Sequence, residues 1–126
     1  MGGVPGRAQG VGSPRVIWRG EIYQVDLGRP VGHEPAFLRP AVVVSSDIVN
    51  NGPGDLVVVV PVTTTDYGLR SHVEIAAGVS GLEHPSYARC DHIRVVSTAR
   101  IRHRRGRVAR DELRSIERAL RFILDL

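Results

Sequence analysis

Along most of this chain apolar and polar positions alternate with a period of two, and only near the C-terminus does the period lengthen to that of a helix. From Trp18 to Leu27, Tyr23, Val25 and Leu27 alternate with Gln24 and Asp26, which predicts a half-buried strand. Gly28, Pro30, Gly32 and Pro35 then break any regular structure up to Leu38, predicting a loop that carries His33 and Glu34. Residues 40 to 45 form a second apolar strand, and Asn50-Asn51-Gly52-Pro53-Gly54-Asp55 is a dense turn signal before the run Leu56 to Val62. These two strands read as a central antiparallel pair. A polar loop, Asp66 to Ser71, separates them from the alternating His72-Val73-Glu74-Ile75. Tyr87 to Val96 reads as one further strand whose buried face the pattern does not fix.

Leu113, Ile116, Leu120, Ile123 and Leu124 recur at intervals of three and four, with Asp111 and Glu112 placed for the positive end of a helix. An amphipathic terminal helix follows, its stripe docked on the sheet. Phe122, about 180° from Leu113 at 100° per residue, is left for a partner. Five or so short strands, with Gly/Pro turns and no helix between them, predict a small curled antiparallel sheet or barrel.

Composition narrows the class. At 126 residues and 42% hydrophobic, the chain suits one small domain. Its longest strongly apolar run, Leu56 to Val62, falls far short of the roughly 20 residues of a membrane-spanning helix. The first fourteen residues, rich in Gly and Pro, predict a disordered leader rather than a secretory signal, with the folded domain spanning 15–126. The single Cys90 cannot form an internal disulfide, which fits a reducing, cytoplasmic setting; as a residue type it is more often a buried structural thiol than a nucleophile. All 17 basic residues are arginine. Nine of them lie between Arg100 and Arg121 against Asp111, Glu112 and Glu117, a formal +6, so the rest of the chain carries −2 of the net +4. Guanidinium forks bind phosphate bidentately, and a localised positive field attracts RNA or an acidic protein. A solvated basic helix and loop would show the same composition.

Two stretches set polar groups at the ends of β-branched runs: Arg39-Pro40-Ala41-Val42-Val43-Val44, and Val60-Pro61-Val62-Thr63-Thr64. Packed strands would hold an arginine and a hydroxyl rigidly at their rim. RNA cleavage without a metal needs a base for the 2′-hydroxyl, an acid for the leaving 5′-oxygen and donors for the charged intermediate. Arg39 suits phosphate stabilisation and Thr63 a hydrogen bond to a non-bridging oxygen; Glu34 is the candidate base, with His33 as the alternative. By themselves, an arginine before proline is more often a surface residue, and threonines are ordinary strand formers. The five histidines lack metal-ligand spacing, and no phosphate-binding or serine-hydrolase motif occurs, so no metal or cofactor is expected.

Taken in order, Arg19 to Leu27 (RGEIYQVDL), Gly32-His33-Glu34, Arg39-Pro40, Asn50-Asn51, Pro61-Val62-Thr63-Thr64 and Asp91-His92-Ile93-Arg94-Val95-Val96 resemble the MazF/PemK family of toxin endoribonucleases over about residues 17 to 124. The resemblance implies an SH3-like barrel with a C-terminal helix, paired as a homodimer whose groove binds single-stranded RNA. It also implies sequence-specific, metal-independent cleavage to 2′,3′-cyclic phosphate and 5′-hydroxyl ends, neutralised by a cognate antitoxin. The catalytic arginine, threonine and loop acid fall on Arg39, Thr63 and Glu34, and substrate contacts on His33, Thr64, Asn50 and Arg94. Many relatives read Gly-Ser-Glu-Gln where this chain reads Gly32-His33-Glu34-Pro35, and the triplet Thr63-Thr64-Thr65 leaves a one-residue choice for the hydroxyl. Two other functions fit the same barrel: a CcdB-like toxin that poisons DNA gyrase without catalysis, and a plain RNA-binding module.

Overall fold

The computed structural model describes residues 16–28 and 38–126. The predicted leader and the loop bearing His33 and Glu34 lie outside them. Seven strands form an antiparallel sheet: β1 (Glu21–Asp26), β2 (Leu38–Val43), β3 (Leu56–Thr63), β4 (His72–Ile75), β5 (Ser86–Arg89), β6 (Arg94–Ser97) and β7 (Ile101–Arg107), in the order β4-β5-β3-β2-β1-β7, with β6 also on β3. A short helix, α1 (Asp47–Asn50), and the terminal α2 (Arg110–Leu124) complete it.

β3 organises the sheet. On one side it pairs with β2 through Ala41–Pro61, Val42–Val60 and Val43–Val59. On the other its first half pairs with β6 and its last two residues, Val62 and Thr63, with β5. The segment expected as one strand, Tyr87 to Val96, is therefore two. A 3₁₀ turn at Cys90–His92 buries Cys90 and redirects the backbone, so the side chains keep no single alternation through it.

Even and odd positions of the central strands feed two cores. Ile22, Val42, Val44, Val60, Val62, Ile75 and Ala88 pack under α2 through Ile116 and Ala119. Tyr23, Val25, Ala41, Val43, Val57 and Val59 face the opposite way, onto Val96 and Ile101. That β1, β6 and β7 share this second core shows how far the sheet curls. Its end strands β4 and β7 do not pair with each other, so the barrel is left open.

Three expectations change. β7 is a strand where only a basic loop was anticipated, because Arg102, Arg104 and Arg107 are exposed, Arg105 is half-buried and just Ile101 and Gly106 are buried. Leu124 is 48% exposed rather than part of the docked stripe, whereas Ala119 is buried. Phe122 is exposed, and the Arg70 guanidinium covers its ring at 4.6 Å.

Candidate nucleic-acid interface

The register of β2 and β3 brings the two strand-end polar residues together. Arg39 stands two residues beyond Ala41, and Thr63 two beyond its partner Pro61, so the same register continued sets them opposite each other on the face of the second core. Thr63 is buried, and its Oγ1 accepts the Thr65 N–H at 3.2 Å. Among the described residues no acceptor takes its hydroxyl hydrogen, which leaves it to a ligand. Thr64 and Thr65 are exposed, so Thr63 is the hydroxyl the fold holds in place. Among the described residues, the Arg39 guanidinium has neither a hydrogen-bond nor an ion-pair partner.

Val25 pairs with Arg39 on one side of β1 and with Ile101 on the other. The end of β1 thus draws arginines from several directions. Arg94 donates to the Leu27 carbonyl and Arg100 to the Asp26 carbonyl, each at 3.3 Å. Arg100 and Arg102 also lie 3.7 and 3.4 Å from the Asp26 carboxylate, which accepts the Gly28 N–H at 2.8 Å. Gly28 has φ +89°, a conformation glycine adopts without strain, and this turn folds back onto Asp26. Arg94, one of the substrate contacts expected from the sequence, lies at this rim. Arg100 and Arg102 were missed, since only the pairing of β7 with β1 reveals them.

Tyr87, the partner of Thr63 on β5, shares its face. Desolvation, then Asp66 and Glu74, push its phenol pKa up. Asn50 behaves differently from the substrate contact expected of it. It is buried, its Oδ1 accepts the Ser45 hydroxyl, and its Nδ2 donates to the Ser45 carbonyl at 3.0 Å. Its amide is consumed in holding the β2–α1 connection against β3, where Ser45 Oγ accepts the Val58 N–H at 2.9 Å.

Fold and rim together define a small curled-sheet domain that can hold a phosphodiester between guanidiniums and a fixed hydroxyl. A family model described as PemK-like, MazF-like toxin of type II toxin-antitoxin system matches residues 18–124. The chain belongs to that family. It is 40% identical over 114 residues to endoribonuclease MazF9 of Mycobacterium tuberculosis (strain ATCC 25618 / H37Rv), covering 86% of this chain and 96% of that protein. Endoribonuclease EndoA of Bacillus subtilis (strain 168) is 29% identical over 112 residues, 88% of this chain and 97% of EndoA. Among solved structures, MazF (Form-I) from Deinococcus radiodurans gives a TM-score of 0.76 at 23% identity, over 90% of this chain and 100% of that one. An endoribonuclease in complex with its cognate antitoxin from Mycobacterial species gives 0.72 at 25% identity, over 87% and 96%.

Proposed function

We propose that this type II toxin is an endoribonuclease that cuts single-stranded RNA at specific sequences, without a metal, leaving 2′,3′-cyclic phosphate and 5′-hydroxyl ends. The reading is carried by Arg39, which has no partner among the described residues, and by the fixed Thr63 hydroxyl, which the β2–β3 register continued past Ala41–Pro61 sets opposite it. The scissile phosphate lies between them. Arg39 neutralises the charge that builds on the non-bridging oxygens as the 2′-oxygen attacks, and Thr63 donates to one of them. Arginine, with a pKa above about 12, is a poor base, so the attacking proton passes to Glu34 or His33 on the β1–β2 loop. Arg39 is also the group nearest in kind to an acid for the leaving 5′-oxygen. Arg94, Arg100 and Arg102 hold flanking phosphates, while Thr64 and His33 contact the substrate.

The protein works in the cytoplasm as a homodimer of SH3-like barrels, with the RNA groove between protomers. A cognate antitoxin neutralises it by laying an acidic segment over the arginine rim; the solved complex of an endoribonuclease from Mycobacterial species with its cognate antitoxin supports a partner of that kind. The test is incubation of purified protein with a long single-stranded RNA in EDTA, mapping the ends produced. Arg39→Ala is expected to lower the rate on the order of 10²–10³-fold with the fold intact, and Thr63→Val to act in the same direction. Cleavage retained in Arg39→Ala would remove that residue from the chemistry. Uncut RNA with folded, dimeric wild-type protein would overturn the enzymatic reading.

A further inference from the structure

The helix α2 carries a second positive surface, away from the rim. Arg110, Arg114, Arg118 and Arg121 are spaced four, four and three residues apart, so at 100° per residue they share an arc of about 80°. That arc points away from Leu113, Ile116, Ala119, Leu120 and Ile123, which pack on the first core. All four arginines are exposed.

This stripe costs the helix stability. Like charges at i,i+4 repel by about 0.2–0.5 kcal/mol per pair. Arg110, the first helical residue, also meets the positive end of the helix dipole. The carboxylates that could offset it are engaged elsewhere. Glu117 pairs with Arg19 at 2.7 Å, Glu112 accepts the Ala109 and Ala76 N–H groups at 2.8 Å each, and Asp111 accepts the Glu112 N–H at 3.0 Å. Among the described residues, none of the four arginines has an ion-pair partner; Arg118 donates only to the Ser115 hydroxyl at 2.9 Å.

β7 links stripe and rim. It starts where Ile101 pairs with Val25, beside Arg39, and ends at Arg107, three residues before Arg110. Arg102, Arg104 and Arg107 are exposed along it. An RNA strand leaving the rim meets exposed arginines along about 20 Å of strand, where Arg102 is paired with Asp26 and Arg104 with Glu21, and then the stripe along about 16 Å of helix, which has no ion-pair partner among the described residues. We infer that the arginine face of α2 is an exosite for the RNA backbone, engaging phosphates outside the segment being cut. It takes from the proposed function only that RNA occupies the rim.

The test compares wild type with the fourfold variant R110Q/R114Q/R118Q/R121Q, none of whose positions lies at the rim. Binding is read by fluorescence anisotropy on a 40-nucleotide poly(U) RNA across a salt series, and cleavage on a short oligonucleotide spanning one mapped site. The variant is expected to bind poly(U) at least tenfold more weakly, with a log K–log[salt] slope shallower by about 3, since each lost phosphate contact on single strands removes about 0.7. Its melting temperature is expected to be equal or higher, and its turnover of the short substrate unchanged. Equal poly(U) affinity and slope in the two proteins would overturn the inference. So would lost binding of poly-glutamate with poly(U) binding intact, which would assign the face to an acidic protein segment. If wild type cuts no RNA yet the binding contrast appears, the exosite stands and the cleavage reading falls.

Discussion

Thr63 is pinned at the strand end by its lone pair, which accepts the Thr65 N–H, and among the described residues nothing takes its hydroxyl hydrogen, which the proposed chemistry gives to substrate. That residue and Arg39 were legible in the sequence because each ends a β-branched run. Arg100 and Arg102 were not, since arginines are scattered through the same segment and only the β1–β7 pairing selects these two. Cys90 tests the opposite case, a reactive residue type made inert. Burial first and Asp91 second push its thiol up to about 12 from 9.0. The folded state therefore holds its proton more tightly than the unfolded chain. Stability from this group is complete below pH 9 and declines as pH rises toward 12. Denaturant titrations from pH 8 to 10.5 should show that loss in wild type and a flatter profile in Cys90→Ala. Gly106 is constrained by contact instead: a Cβ there would lie 2.3 Å from the Val79 carbonyl oxygen. Gly106→Ala is expected to cost about 3 kcal/mol in urea unfolding, the upper range for overpacking.

At the scale of elements, periodicity revealed most where burial is one-sided. The three-and-four spacing in α2 matched its burial because the helix lays one stripe on a core, and the alternation in β1 matched at Tyr23 and Val25 but missed that Ile22, on the other face, is buried in the first core. Tyr87 to Val96 resisted reading since β5 and β6 serve different halves of β3 and the turn at Cys90–His92 exchanges their faces. β7 lacks an apolar pattern altogether; its place is set by hydrogen bonds to β1 and by the Arg104–Glu21 pair at 2.6 Å, both nonlocal. The helix stripe also overreached by one residue, and this can be measured. Ile116 is fully buried and Leu124 is 48% exposed. Ile116→Ala is expected to lose about 2–5 kcal/mol, the range for emptying a buried aliphatic site, whereas Leu124→Ala should stay within about 0.5 kcal/mol. A comparable loss in both variants would mean that the last turn of α2 docks as firmly as its middle.

For the whole molecule, one curled sheet separates two cores, so neither core can be lost without opening β3, and unfolding should be a single cooperative transition. The curl also leaves large apolar side chains outside both cores. Trp18, Ile48 and Val49 are exposed on the segments joined where Asn51 Oδ1 accepts the Ile17 N–H at 2.9 Å, and Leu56 and Val95 are exposed on β3 and β6. Such surface is costly in water, and the proposed homodimer would cover part of it. If dimerisation and folding are coupled, the melting temperature must depend on protein concentration, because mass action stabilises the associated state. Each tenfold dilution removes about 1.4 kcal/mol from the dimer. For a cooperative unit of roughly 250 residues that lowers the melting temperature by about 3–6 °C. Scans at 1 and 100 μM should therefore separate by about 6–12 °C, with sedimentation at both concentrations confirming the species that melts. Identical melting temperatures with a monomer at both would leave a single chain to hold the RNA. The arginine rim at the end of β1 and the stripe on α2 would then have to supply the whole binding surface.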